Sequence, residues 1–140
     1  MNRSDPTITP ISLNDCLPLR QKVLWPSLTQ EACRVPHDEE GFHYGIFCQN
    51  TLVGCASLFL LPSHEIQLRK LAILPDYQGK GLGTLLLKYL LDQARHHGGK
   101  RLVLDARLSA TKFYEKLHFT TGGSPFFKKD VPFIRMKKVL

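Results

Sequence analysis

No apolar run in the 140-residue sequence reaches the roughly 18 residues that a helix needs to cross a bilayer. The opening MNRSDPTITP also lacks the apolar stretch of a secretory signal. A cytoplasmic protein with no membrane partner is expected. Cysteines are few: Cys16, Cys33, Cys48 and Cys55 form no CxxC pair and have no histidines at zinc-finger spacing, so no metal is expected. Cys48 and Cys55 lie in apolar segments that suit small buried hydrophobes. Acidic side chains are scarce, 12 against 19 Lys and Arg, for a net charge of +7. Such an excess favours an anionic partner. Yet the basic residues are scattered apart from the pairs at 128–129 and 137–138, with no interleaved aromatic pattern, so no nucleic acid is expected. Two common nucleotide-phosphate motifs are missing as well. GxxxxGK[ST] has no match, and the glycines of GKGLGT alternate where GxGxxG would space them unevenly.

What remains is ordinary for a globular fold: 43% hydrophobic and 22% charged residues, enough chain for one domain over 1–140. TITPISL is a short strand, followed by a helix with Asn14 as N-cap and Pro18 in its first turn. HYGIFCQNTLVGCASLFLL predicts a hairpin turning at Gln49-Asn50. EIQLRKLAIL alternates as a strand, with Arg69, Leu71 and Ile73 assigned to one face. Leu82, Leu85, Leu86, Tyr89, Leu90 and Ala94 recur at helical spacing, and Gly98-Gly99 ends that helix. RLVLDA is a buried strand, Ser109 is the expected N-cap of ATKFYEKL, and two strands joined by a turn within SPFFKKDVPF close the chain. The order β-α-β-β-β-α-β-α-β-β predicts an α/β layer fold with mixed strand directions.

The segment LAILPDYQGKGLGTLLLKYLL carries the chemistry. A strand, a glycine-bearing loop and a helix start together make an anion site, because the first helical N–H groups lack partners and glycine lets a ligand approach the main chain. Its Gln78-Gly79-Lys80-Gly81-Leu82-Gly83 resembles the Q/R-x-x-G-x-G/A motif of the GNAT N-acetyltransferases. ARLSATKFYEKLHF is similar to a second hallmark of that family, with His118 standing where glycine is usual. The resemblance covers essentially the whole chain. It implies the acyl-CoA N-acyltransferase fold, a mostly antiparallel mixed sheet flanked by helices, and acetyl-CoA as cosubstrate. By that resemblance the main chain from Gly79 to Thr84, with Gln78, Lys80 and Leu82, holds the pyrophosphate. The edge of Leu71-Ala72-Ile73 pairs with the pantetheine arm where this strand parts from RLVLDA. The Leu71 amide polarises the thioester, and Tyr114 protonates the departing thiolate. Glu65 is the expected base, acting through water, with His43 and His118 as alternatives.

For the acceptor, LRQKVLWP followed by EAC, together with QLRKLAIL, resembles glyphosate N-acetyltransferase-like enzymes, which grip a small anionic amino acid with arginines and use a C-terminal histidine as base. Arg69 and Arg107 match two of those arginines; Trp25 replaces a third, and Phe133 replaces the histidine. This departure shifts the expectation away from a phosphonate and toward a more apolar or aromatic amine. A small-molecule amine is the leading acceptor, with room for a homodimer. The alternatives are a peptide N-terminus or lysine, or a non-catalytic acyl-CoA-binding regulatory domain.

Overall fold

A computed structural model describes residues 5–140. It contains β1 (Thr7–Pro10), α1 (Leu13–Leu19), β2 (Phe42–Cys48), β3 (Thr51–Leu61), β4 (Glu65–Ile73), α2 (Leu82–His96), β5 (Arg101–Arg107), α3 (Thr111–Glu115), β6 (Thr120–Lys128) and β7 (Val131–Val139). The strands form a seven-stranded sheet in the order β1-β2-β3-β4-β5-β7-β6. Every neighbouring pair is antiparallel except β4 and β5. Two-residue loops join β2 to β3 and β6 to β7. In each, both residues have positive φ, Gln49 and Asn50 in the first, Lys129 and Asp130 in the second, which matches the twist of paired strands. The last turn is therefore only Lys129-Asp130, and Phe126, Phe127 and Phe133 belong to strands.

The two faces of the sheet are covered unequally. Leu82, Leu86, Leu87, Leu90, Leu91 and Ala94 of α2 pack on Leu58, Ile66, Leu68, Leu102, Leu104 and Met136 to form the main core. Leu85, expected in that stripe, is instead 41% exposed, and Leu87 and Leu91 take the inner positions. On the other face α1 buries Cys16 and Leu19 against Cys55 and Ala72. The N-cap of α1 is Ser12, whose hydroxyl accepts from the Asp15 amide at 3.2 Å, two residues earlier than expected. Pro18 accordingly falls beyond the first turn. It cannot donate to the ladder, and the chain continues as a π-helical turn over Arg20–Leu24. Ser109 does not cap α3. A 3-10 turn over Leu108–Ala110 precedes that helix, which starts at Thr111 without a side-chain cap.

One irregularity reverses an expectation. Ser57 faces Arg69 and Cys55 faces Ala72, so Ala56 alone lies opposite both Lys70 and Leu71. This is a β-bulge, with Lys70 at φ 60°. The extra residue shifts the alternation. Leu71 and Ile73 join Ile66 and Leu68 in the α2-side core, and Arg69 is turned to the α1 side, against Phe59. Arg69 thus does not share a face with Leu71. His118, at φ 70°, occupies the left-handed position after α3 that glycine favours. Replacing it by glycine (H118G) should raise stability by about 1 kcal/mol, read as a higher urea midpoint at unchanged m-value.

Candidate active site

β4 and β5 pair in parallel over only three residue pairs, Glu65–Arg101, Ile66–Leu102 and Gln67–Val103. Beyond them each strand stays bonded to its outer neighbour, β4 to β3 and β5 to β7. A wedge therefore opens between Leu68–Ile73 and Leu104–Arg107. Main-chain groups along its walls are left without sheet partners, and such groups seek an extended ligand.

The glycine loop stands at the open end. Gly79 and Gly81 have φ of 74° and 83°, and a Cβ at either would meet nothing within 4 Å. They serve backbone shape and leave the main chain bare. Gly81 is the N-cap of α2 and supplies no side-chain acceptor, so the first amides of this 15-residue helix stay available to an anion. Gly83 has ordinary helical φ, and a Cβ there would meet Phe113 of α3 at 3.4 Å. Gln78 donates from Nε2 to the Ile73 carbonyl at 2.9 Å, tying the loop to the end of β4. Lys80 leans on Tyr77, its Nζ 5.5 Å from the ring centroid. Tyr114 lies on the same side of the sheet, its ring edge-on to Phe113 and Phe119 at 4.9 and 5.7 Å. Burial pushes its hydroxyl up to about 12, so it keeps its proton throughout the neutral range.

The opposite face of the wedge is cationic and aromatic. Lys70 Nζ lies 3.9 Å from the Trp25 ring centroid, and Lys129 Nζ lies 5.4 Å from the same ring. Phe126 stacks on Phe133, with Lys128 near both rings. Arg107 is registered opposite Phe133. Arg69 lines a neighbouring cavity of about 430 Å³, together with Phe42, Phe59, Leu60 and Gln67. The structure thus gathers Trp25, Arg69, Arg107 and Phe133 on one face, and adds Lys70, Phe59 and Lys129, which the sequence reading did not single out. Their sole advance signal was the lysine within an apolar strand and the KK pair.

Glu65, the expected base, sits away from the open stretch of β4. Arg101 Nε donates to its Oε2 at 3.1 Å, at the paired end of β4. It precedes Leu71 by six residues, roughly 20 Å along an extended strand. His43 is excluded by burial. Its Nε2 donates to the Asp38 carbonyl at 2.8 Å, and its Nδ1 accepts from the Ser57 hydroxyl at 2.6 Å.

Residues 12–119 match the model of the acetyltransferase (GNAT) family. The chain belongs to that family. It is an acetyl-CoA-dependent N-acetyltransferase. The uncharacterized N-acetyltransferase YitI of Bacillus subtilis (strain 168) is 29% identical over 130 residues, spanning 87% of this chain and 85% of YitI. Among solved structures, a Lactobacillus plantarum protein assigned to the N-acetyltransferases superposes with a TM-score of 0.86 at 20% identity, covering 96% of this chain and 98% of that one. A GNAT family acetyltransferase from Elizabethkingia anophelis, solved with acetyl-CoA bound, gives 0.76 at 20% identity, with 96% and 98% covered.

Beneath the cationic face of this GNAT enzyme runs a buried polar loop that no sequence motif announced. Arg20, fully buried, donates from Nη1 and Nη2 to the two carboxylate oxygens of Asp38 at 2.8 and 3.0 Å. It also reaches the Cys33 carbonyl at 3.1 Å and the Ser57 hydroxyl at 3.2 Å. Asp38 accepts the Val35 amide at 2.7 Å. Burial pushes the Asp38 carboxyl up, but the Arg20 guanidinium and the Val35 amide outweigh it and hold the group below its usual value. The available hint was an arginine at helical spacing from Cys16 and Leu17 on an apolar face. Asp38→Ala should destabilise the protein by about 3–5 kcal/mol in urea unfolding, because it strands a buried guanidinium. The stability that the pair contributes is present above the ordinary carboxylate pKa and is lost as pH falls through the lower folded value.

Proposed function

We propose that this enzyme acetylates the amine of a small molecule, an amino acid or a similar compound, by direct attack on the thioester. The observation that carries the reading is the parted sheet, with bare helix amides and Tyr114 on one face and a cationic, aromatic wall on the other. A donor and an acceptor can meet only through that opening.

Each residue then has a definite task. The main chain of Gly79 to Thr84 receives the pyrophosphate of acetyl-CoA, where helix amides and the α2 dipole favour negative charge. Gln78 holds the loop in place through Ile73, and Lys80 adds a cation at its rim. The open edge of Leu71, Ala72 and Ile73 hydrogen-bonds the extended pantetheine arm as an added strand would. The Leu71 amide donates to the thioester oxygen and stabilises the charge that develops there. Tyr114, kept protonated by burial, gives its proton to the departing sulfur.

From the other face Arg69 and Arg107 orient an acceptor carboxylate, and Trp25 and Phe133 cover its apolar part. The neighbouring cavity that Arg69 and Phe59 line leaves space for a side chain larger than that of glycine. Trp25 and Phe133 replace a cation and a base with aromatic surface, which favours apolar or aromatic acceptors over a doubly charged phosphonate.

A thiol-release screen of free amino acids, simple amines and short peptides should show turnover with free amino acids; turnover confined to peptides would overturn the small-molecule reading. Tyr114→Phe should lower kcat by about 10²–10⁴-fold while the affinity for acetyl-CoA, measured by calorimetry, stays as in the wild type. Equal kcat in both proteins would remove Tyr114 from the reaction.

A further inference from the structure

The acceptor enters such a site as an ammonium ion and must lose a proton before it can attack. Glu65 and His43 are engaged elsewhere, and His118 is exposed beyond α3. Asp105 faces the same side of the sheet, but Arg135 and Lys128 both pair with it. Burial pushes its carboxyl up, and those two cations more than reverse the shift, which leaves it a weak base.

Lys70 differs from all of these. It is the bulged residue of β4, held at φ 60° in a region that L side chains disfavour. The bulge turns it onto the acceptor face together with Arg69, two successive side chains where an unbroken strand would present one. It lies in the open stretch of β4 and directly precedes Leu71, whose amide the proposed mechanism aims at the thioester. Its ammonium shares the Trp25 ring with that of Lys129. Arg69, Lys70, Arg107 and Lys129 have no carboxylate within ion-pair distance among the described residues.

Resting on the acceptor site proposed above, we infer that Lys70, in its neutral form, takes the proton from the acceptor's ammonium. The charged groups around it push in that direction, against the Trp25 ring face, which favours the ammonium. Arg69 flanks it on its own strand, Arg20 lies on the π-helical turn, Lys128 and Lys129 come from the β6–β7 end, and Arg107 lies on β5. The nearby thiol of Cys33 is uncharged, since burial raises it, and Asp38 is taken up by Arg20. Burial first, then Arg69, Lys128, Arg20 and Arg107, lower Lys70 to about 8. The other cations can hold an acceptor carboxylate with charge to spare, so Lys70 need not remain charged to bind it.

The proton count closes. Neutral Lys70 Nζ removes one proton from the ammonium. The freed nitrogen forms the C–N bond as the C–S bond breaks. The second proton, from the attacking nitrogen, replaces the one that Tyr114 gives to sulfur. Lys70 then releases its proton to solvent, for a net yield of amide, thiol and one proton.

Lysine side-chain NMR of the ligand-free protein tests the group without any acceptor. The signal absent from Lys70→Arg should titrate with a midpoint near 8 rather than the ordinary 10.5. In kinetics with the fastest amino acid of the screen, Lys70→Arg and Lys70→Met should both lose roughly 10²-fold or more in kcat at unchanged KM for acetyl-CoA. The rising limb of the pH profile near 8 should vanish with them. An ordinary lysine midpoint overturns the inference. So does a Lys70→Arg enzyme with the wild-type rate and pH profile, which would make Lys70 a binding cation. If only peptides turn over, the same comparison runs on the peptide amine, so the small-molecule reading and the role of Lys70 fail separately.

Discussion

Between the Gln67–Val103 pair and the ends of β4 and β5, the sheet has no internal bonding across its middle. Three parallel pairs hold the two halves together, and everything beyond them depends on each half being anchored from outside. β4 is bound along its length by β3, and β5 by β7, so neither strand can swing across to close the gap. The core beneath α2 braces both halves at once, since Ile66 and Leu68 of one and Leu102 and Leu104 of the other pack on the same helix. A rigid opening through a sheet is unusual because exposed main-chain groups are costly. Here it is sustained by cores on both sides, and it leaves an edge suited to an extended ligand.

The opening also separates two kinds of chemistry. On the α2 side the wedge presents mostly main chain: bare glycines, helix amides and a strand edge. On the α1 side it presents side chains, chiefly cations and aromatic rings. The buried Arg20–Asp38 pair lies under this second surface and links the π-helical turn, the 3-10 turn at Asp38–Glu40 and β3 through Ser57. It thereby fixes the segment that carries Trp25. This α1-side wall is thus held by a polar network whose members come from four places in the chain.

Much of the donor half could be read from the chain. The glycines of the loop were expected to leave the main chain open, and a Cβ at Gly79 or Gly81 would meet nothing within 4 Å. The Gln49-Asn50 turn and the end of α2 at Gly98 followed from local rules of the same sort. Errors arose where a local rule met a longer-range demand. Ser12 rather than Asn14 caps α1, a choice between neighbouring residues of equal propensity. Leu85 fits the helical period but faces outward, because the core lies nearer Leu87 and Leu91. Glu65 had a suitable side chain at a strand start, yet Arg101, 36 positions away, takes it up.

The sequence by itself determined the order of elements, the family and the glycine loop that opens α2, because each rests on residues close together in the chain: a period, a run of glycines, a helix start. Only the tertiary structure decided which side chains share the α1-side face. A single bulge at Lys70 moved Arg69 off the face of Leu71, and period-two alternation carries no mark of where such an extra residue falls. Likewise the surroundings of Lys70 come from Trp25, Arg107 and Lys129, remote segments brought together by the sheet. Charge on a side chain is a local property, but its proton affinity belongs to whatever the fold packs around it.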